Sequence, residues 1–532
     1  MTAVERWAER WLSGWGGLVA VLSLTLLLAL PGFFTLPPVD RDEVLFAQSS
    51  RQMLQTGNVI DIRFADQPRY KKPVGIYWLQ AGAAAITGAP DAIWSYRLVS
   101  LAGVLAAVGL TWGIGRRALT PAGAVLAAMI LGSGLVVGVE ARLAKTDAML
   151  LATILLAQWA LARLWLPDGR AQDPKSDGWG VAAFWVGLAA SVLIKGPIGP
   201  MVLGFTLAGL CLMRRDLAIL RALRPKLGLP ILAALVLPWL IAITITSHGA
   251  FWTGSVGRDL IGKLATAQES HGAPPGSYLV TLWLMFWPGS MLLLAALPGI
   301  WALRRHPLVL LAMVWVVPTW IVFELTRTKL LHYTLPTYPA LALVVALALT
   351  HARIWRWAAW PLVVVPAALL AGVIVTAAQL EQALPWTFWP AALLAVALAA
   401  LVPLALRHGG PFAQAGALAL AGFGLALAVF PTLAATPSLW PARSLAALAA
   451  EHPGCTLTVA GFAEPSLVFW TDRQVVLATP EDALIALTAP GCQIVALPAA
   501  APQPELVPLQ RLTGMDLGSG RKLDLAIYLT PQ

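Results

Sequence analysis

Apolar residues in this chain run in long blocks instead of alternating. Gly17–Leu36, Leu229–Ile245, Tyr278–Leu303 and Ala358–Ala377 each hold close to the roughly 20 apolar residues that cross a hydrocarbon core. A span-length reading predicts about thirteen segments, near 14–37, 92–115, 119–138, 147–165, 180–194, 197–213, 229–247, 278–303, 307–325, 330–350, 358–377, 388–406 and 412–433. The first is expected to be retained, because Trp11–Phe34 runs past a signal h-region and no clean cleavage site follows. Every second connection is plainly basic: Arg6 and Arg10, Arg116-Arg117, Arg163 to Lys175, Arg214 to Lys226, Arg304-Arg305, Arg353 to Arg356, and Arg407. The positive-inside rule places these, and with them the N-terminus, in the cytoplasm.

The opposite connections mix carboxylates, Lys, Arg, His and Pro in short motifs. The first, residues 38–92, is too long for a mere connector. It predicts a helix from Asp42 to Gly57 whose face of Phe46, Ala47, Ser50, Met53 and Leu54 lies in the membrane interface, and a second interfacial helix over Val74–Thr87. An odd number of spans leaves 437–532 on the same outer side. Short apolar runs and a helical stretch at Glu481–Leu487 predict a small extracytoplasmic α/β domain there, after an all-α polytopic membrane domain over 1–436.

Composition narrows the class. Of 532 residues 58% are hydrophobic and only 12% charged, which excludes an ordinary soluble globule. The formal charge of +10 reads as topology, and without aromatic-interleaved basic runs the sequence points to no nucleic acid. Cys455 and Cys492 each follow Pro-Gly and precede a short apolar run; if those runs are neighbouring strands in an oxidising compartment, the thiols can pair.

Candidate chemistry sits on the outer side. In Asp40-Arg41-Asp42-Glu43 the carboxylates either cap a helix or take a proton from an acceptor hydroxyl or amine. In Tyr70-Lys71-Lys72-Pro73 two adjacent cations serve either lipid headgroups or a bound phosphate. The stretch from Glu140 to Asp147 opens the fourth span, where Asp147 is a cap or a cavity group and Arg142 and Lys145 are interface anchors or cavity groups. Lys195 ends a span with no carboxylate nearby in sequence, so it either snorkels or serves a site. Arg258 and His271 lie in the next long loop, and Lys329, His332 and Tyr333 stand at the mouth of the tenth span.

Together these groups predict a site that binds an anion and moves a proton. Outside the cytoplasmic membrane no nucleotide sugar or ATP is supplied, so a transferase there must use a carrier that crossed the bilayer, such as an isoprenoid phosphate. The alternative is a multi-span transporter or flippase of a lipid-linked or anionic substrate. Transporters usually show repeated halves, and no internal repeat is visible here.

The motifs resemble a known family. Asp42-Glu43, the helix ending in Met53-Leu54-Gln55-Thr56-Gly57, Tyr70-Lys71-Lys72-Pro73 and Tyr77-Trp78 resemble the first outer loop of the bacterial aminoarabinose and protein-mannosyl transferases of the GT-C class. Ala141-Arg142-Leu143-Ala144-Lys145-Thr146-Asp147, Lys195-Gly196-Pro197 and Lys329-Leu330-Leu331-His332-Tyr333 follow in the family's order. The resemblance implies a GT-C fold and a sugar drawn from undecaprenyl phosphate or a related carrier. Its acceptor would be a lipid such as lipid A, a glycan or a protein, at the outer face of a bacterial cytoplasmic membrane. It implies Asp42 near the acceptor, supported by Glu43 and Asp147, and Lys71, Lys72, Lys195 and Arg258 on the donor phosphate. Arg142, Lys145, His271, Lys329, His332 and Tyr333 are implied as further cavity groups. His271 resembles a histidine that helps hold a divalent metal, but the family's Glu before Lys-Pro is Lys71 here, so no metal is expected. Leu45 stands where the family usually has an arginine, so the substrate contacts there are expected to differ from those made to aminoarabinose and lipid A.

Overall fold

The computed structural model describes residues 9–166, 178–262, 272–501 and 507–530. Among the described residues eight helices are long and apolar enough to cross a membrane, from Ile93–Gly115 to Pro411–Ala434, and Ser277–Met285 with Gly289–Ala302 make a ninth if that bent pair is one span. Trp15–Ala29, Pro121–Gly132, Ile198–Arg214 and Leu335–His351 are shorter apolar helices. Each of these coincides with a segment predicted from hydropathy. Burial sorts them: the span window of Asp147–Trp165 is 67% buried and that of Pro225–Thr246 only 22%, so the helix beginning at Asp147 is central and the other faces outward.

Two segments differ from the sequence reading in shape. The stretch 278–303 is bent by 110°. Its corner is held where Leu135 N–H donates to the Trp287 carbonyl and the Trp287 indole donates to that of Leu362, each at 2.8 Å. The tenth helix begins at Leu335, not near 330, so His332 and Tyr333 stand on a turn before it.

Asp42–Thr56 forms the first-loop helix as predicted and ends at Gly57, whose φ of +69° is a left-handed cap that costs glycine no Cβ clash. Its predicted apolar face is largely covered by protein. Residues 43–53 are buried apart from Leu45, between the second loop helix Gly75–Thr87 and a C-terminal helix, Pro465–Trp470. Phe469 from that last element packs with Val44, Ala47, Ala84, Ile93, Tyr96 and Ala144, so protein and not lipid covers most of the predicted apolar face. A short hairpin, β1 (Arg63–Phe64) and β2 (Gln67–Pro68), follows the first loop helix. Gly75 then lets the second helix start hard against Leu193, whose carbonyl would lie 2.8 Å from an added Cβ. That approach brings the Lys-Lys-Pro segment beside the helix end that carries Lys195.

The C-terminal residues form five strands, β3 (Thr456–Ala460), β4 (Val475–Ala478), β5 (Gln493–Pro498), β6 (Gln510–Asp516) and β7 (Arg521–Leu529), in the order β4-β3-β5-β7-β6. β4, β3 and β5 are parallel, whereas β7 runs antiparallel to β5 and β6. Leu445, Leu457, Val459, Leu467, Ile494 and Leu525 form the core between sheet and helices. Cys455 and Cys492 precede the neighbouring strands β3 and β5 and form a disulfide, their Cα atoms 4.5 Å apart.

Candidate active site

The first-loop helix is tied down by its own second residue. Glu43 Oε1 accepts from Arg97 Nε at 2.7 Å and Oε2 from Arg97 Nη2 at 2.9 Å. The backbone N–H groups of Ala144 and Val39 complete its coordination, each at 2.8 Å. Arg97 also donates to the carbonyls of Phe33, Leu36 and Pro37. Expected as a catalytic carboxylate, Glu43 is instead a structural knot: its oxygens are engaged, and it fixes the position of its neighbour Asp42. Arg97 was missed in the sequence, although an arginine a turn into an apolar span is the sort of intramembrane charge that marks a function.

A second charged group forms where three elements meet. Asp147 begins its helix, Lys195 ends another, and His332 sits on the turn before the tenth. Lys195 Nζ lies 2.5 Å from Asp147 Oδ1, and His332 Nε2 lies 3.5 Å from Asp147 Oδ2. On its other side His332 Nδ1 is 3.7 Å from Glu140 Oε1, which Lys145 Nζ approaches to 3.6 Å. Burial pushes the His332 imidazole down to about 3 despite Asp147, so the ring is neutral and these contacts are not ion pairs. Burial likewise raises Glu140 to about 7, against the pull of Lys145. Lys145 is desolvated too, but Glu140, Asp147 and Asp42 outweigh that and hold it above its ordinary range.

Asp42 is accessible and faces this group. Desolvation pushes its carboxyl up, but Lys145 and Arg69 together win and hold it below the usual carboxylate range. It is therefore ionised at neutral pH.

Cavities flank the cluster. One of about 380 Å³ is lined by Lys71, Lys72, Asp147, Lys195 and Tyr333 at its polar end and by Val236, Trp239, Leu240, Phe251 and Trp252 along its apolar wall. Lys195 Nζ stands 5.5 Å over the Tyr333 ring there. A second cavity of about 560 Å³ is lined by Glu140, Lys145 and His332 and elsewhere mostly by apolar residues, among them Leu28, Val104, Leu369, Val429, Phe430 and Trp440.

Other expected groups fall elsewhere. Arg142 borders the second cavity, but its guanidinium donates to the carbonyls of Leu28, Pro31 and Gly138 and lies over the Phe430 ring, so it caps backbone instead of waiting for substrate. Lys329 turns back onto the carbonyl of Thr326. The side chain of Arg258 and the whole of His271 lie outside the described residues. Among the described residues Glu140, Asp147 and His332 offer ligand atoms within 4.8 Å of one another. Lys145 and Lys195 already compensate the two carboxylates, so the donor set does not fit a divalent ion better than it fits the chain's own ammonium groups.

The family model described as dolichyl-phosphate-mannose-protein mannosyltransferase matches residues 71–241. Undecaprenyl phosphate-alpha-4-amino-4-deoxy-L-arabinose arabinosyl transferase 1 of Sodalis glossinidius is 30% identical over 362 residues, 64% of this chain and 59% of the relative. A transferase of the same description from Pseudomonas aeruginosa is 28% identical over 62% of this chain and 59% of its own. The match thus spans about three fifths of those relatives' length. ArnT from Cupriavidus metallidurans bound to undecaprenyl phosphate superposes with a TM-score of 0.78 at 18% identity, covering 98% of this chain and 100% of that one, a likeness of fold.

Proposed function

We propose, from its likeness to the aminoarabinose and protein mannosyl transferases of the GT-C class, that the chain transfers a sugar from a polyprenyl phosphate carrier to an acceptor at the outer face of a bacterial cytoplasmic membrane. The observation that carries this reading is the meeting of Lys71, Lys72, Lys195 and Asp147 on one cavity with an apolar wall, beside an ionised Asp42.

In this reading the isoprenoid chain lies along Trp239, Phe251 and Trp252, and the lysines receive the phosphate. The bond between the anomeric carbon and the phosphate oxygen breaks as the acceptor oxygen or nitrogen attacks. Its proton passes to Asp42, and the carrier leaves as a phosphate anion compensated by Lys72 and Lys195. Asp147 holds Lys195 in place, and the wall of Glu140, His332 and Asp147 divides donor from acceptor. The apolar second cavity suits a lipid acceptor better than a free glycan or peptide. No step is routed through a metal.

The thirteen apolar segments are all taken to cross or enter the bilayer, with the N-terminus cytoplasmic and residues 437–532 an outer domain. The Cys455–Cys492 disulfide supports that side, since such bonds persist in oxidising compartments. Transport is the weaker alternative, because these charges gather at helix ends near one another instead of along a path.

Mass spectrometry of envelope lipids, glycans and proteins tests the reading. One sugar mass should disappear both without the chain and with Asp42→Asn, a change expected to slow transfer by about 10²–10⁴-fold while leaving insertion intact. Unimpaired transfer by Asp42→Asn would remove that carboxylate from the mechanism.

A further inference from the structure

A third cavity, of about 590 Å³, opens beside the first-loop hairpin and is lined by Leu45, Phe64, Gln67, Arg69, Lys71 and Thr253 among others. It shares Lys71 with the carrier cavity but none of Lys72, Asp147 or Lys195. Arg69 is its unusual member. Its backbone is fixed by an N–H bond to the Ile62 carbonyl at 2.8 Å, and its guanidinium lies 5.2 Å over the Phe46 ring. The residue is only 8% exposed, yet its Nε is buried with no hydrogen-bond partner, and its charge reaches Asp42 through space. A buried cation with an unfilled donor, held by an aromatic face on the wall of an open cavity, is built for an anion that arrives from outside.

We propose that this cavity is a second anion site, separate from the carrier phosphate, which seats a phosphate or carboxylate borne by the acceptor. Leu45 lines it one helical turn after Asp42, so an acceptor anchored there by its charge presents its reacting group along the same helix. The site itself follows from the cavity and Arg69; only the assignment of the anion to the acceptor rests on the transferase reading.

Two probes on the full chain in phosphatidylcholine nanodiscs separate the sites: undecaprenyl phosphate for the lysine cavity, then inorganic phosphate with that carrier already bound. The loaded wild-type chain should still take up inorganic phosphate. Arg69→Gln should weaken that uptake by about tenfold or more and leave carrier affinity within about twofold. Gln67→Glu should do the same from an exposed position by setting a like charge in the cavity, without disturbing the Arg69 stack, so the test survives if Arg69→Gln fails to fold. A second arm replaces inorganic phosphate by nanodiscs containing phosphatidic acid. Binding sensitive to both variants in that arm identifies a lipid headgroup as the source, and sensitivity confined to inorganic phosphate identifies a soluble anion. No uptake by the carrier-loaded wild type, uptake indifferent to both variants, or a parallel loss of carrier affinity overturns the proposal. A chain that fails to bind undecaprenyl phosphate but keeps Arg69-dependent phosphate uptake sinks the proposed donor and leaves this site standing.

Discussion

Glu43–Arg97 and Asp147–Lys195 are both buried ion pairs at the same end of the helices, and they differ in what each has left over. The side chains of Glu43 and Arg97 are 1% and 0% exposed, and every charged nitrogen and oxygen has a protein partner. Those of Asp147 and Lys195 are 7% and 12% exposed and border a cavity. The first pair has no capacity for anything but structure. The second borders open space, so an anion in the cavity can also reach its lysine, as the proposed phosphate site requires.

Breaking the closed pair should have the largest effect. Glu43→Gln strands the Arg97 charge in a fully buried site, and the expected loss is about 3–5 kcal/mol of stability, read as a lowered melting temperature in detergent. If the melting temperature holds, the pair is not the knot described. Opening the other pair should separate activity from stability: Lys195→Met is expected to lower transfer by about 10²–10³-fold, with a much smaller thermal shift than Glu43→Gln. Equal thermal losses in the two variants would erase the distinction.

A third charged cluster sharpens the comparison because it lacks balance. Asp40, Glu464 and Asp516 gather where the C-terminal sheet meets the first loop, with half-exposed Arg41 3.6 Å from Glu464 and the Ser466 N–H donating to Asp40 at 2.9 Å. Burial raises Asp40 to about 6 despite those Ser466 bonds; burial, with Asp40 and Asp516 close by, raises Glu464 to about 7. Both carboxyls are raised above their unfolded values. Their contribution to docking is therefore full below about pH 4 and lost as pH rises through about 6 to 7. Protease susceptibility of the segment near Phe469 should increase modestly across that range, and Glu464→Gln should flatten the change. A pH-independent cleavage rate in the wild-type chain would count against the cluster.

Hydropathy made the helical segments legible because apolar length is a local property of the chain. The motifs around Asp42, Lys72, Asp147, Lys195 and His332 were legible because compact charged motifs between long apolar segments are conspicuous. Their neighbours were less so. Glu43 and Arg142 looked like Asp42 and Lys145 in sequence, and only the carbonyls and the Arg97 guanidinium that fold against them reveal a structural role. The burial of the Asp42 helix was hidden for a similar reason, since its amphipathic face fits lipid and Phe469 equally well and periodicity does not name the occupant. Arg69 carried no signal beyond its place before the Lys-Lys pair.

One contact reaches across nearly the whole chain: the Arg51 guanidinium donates to the Phe469 carbonyl from 418 positions away. A nascent polypeptide therefore makes its first loop early and gives that loop this neighbour only 418 positions later. A chain cut before Phe469 would leave the first-loop helix without one of the neighbours that cover it.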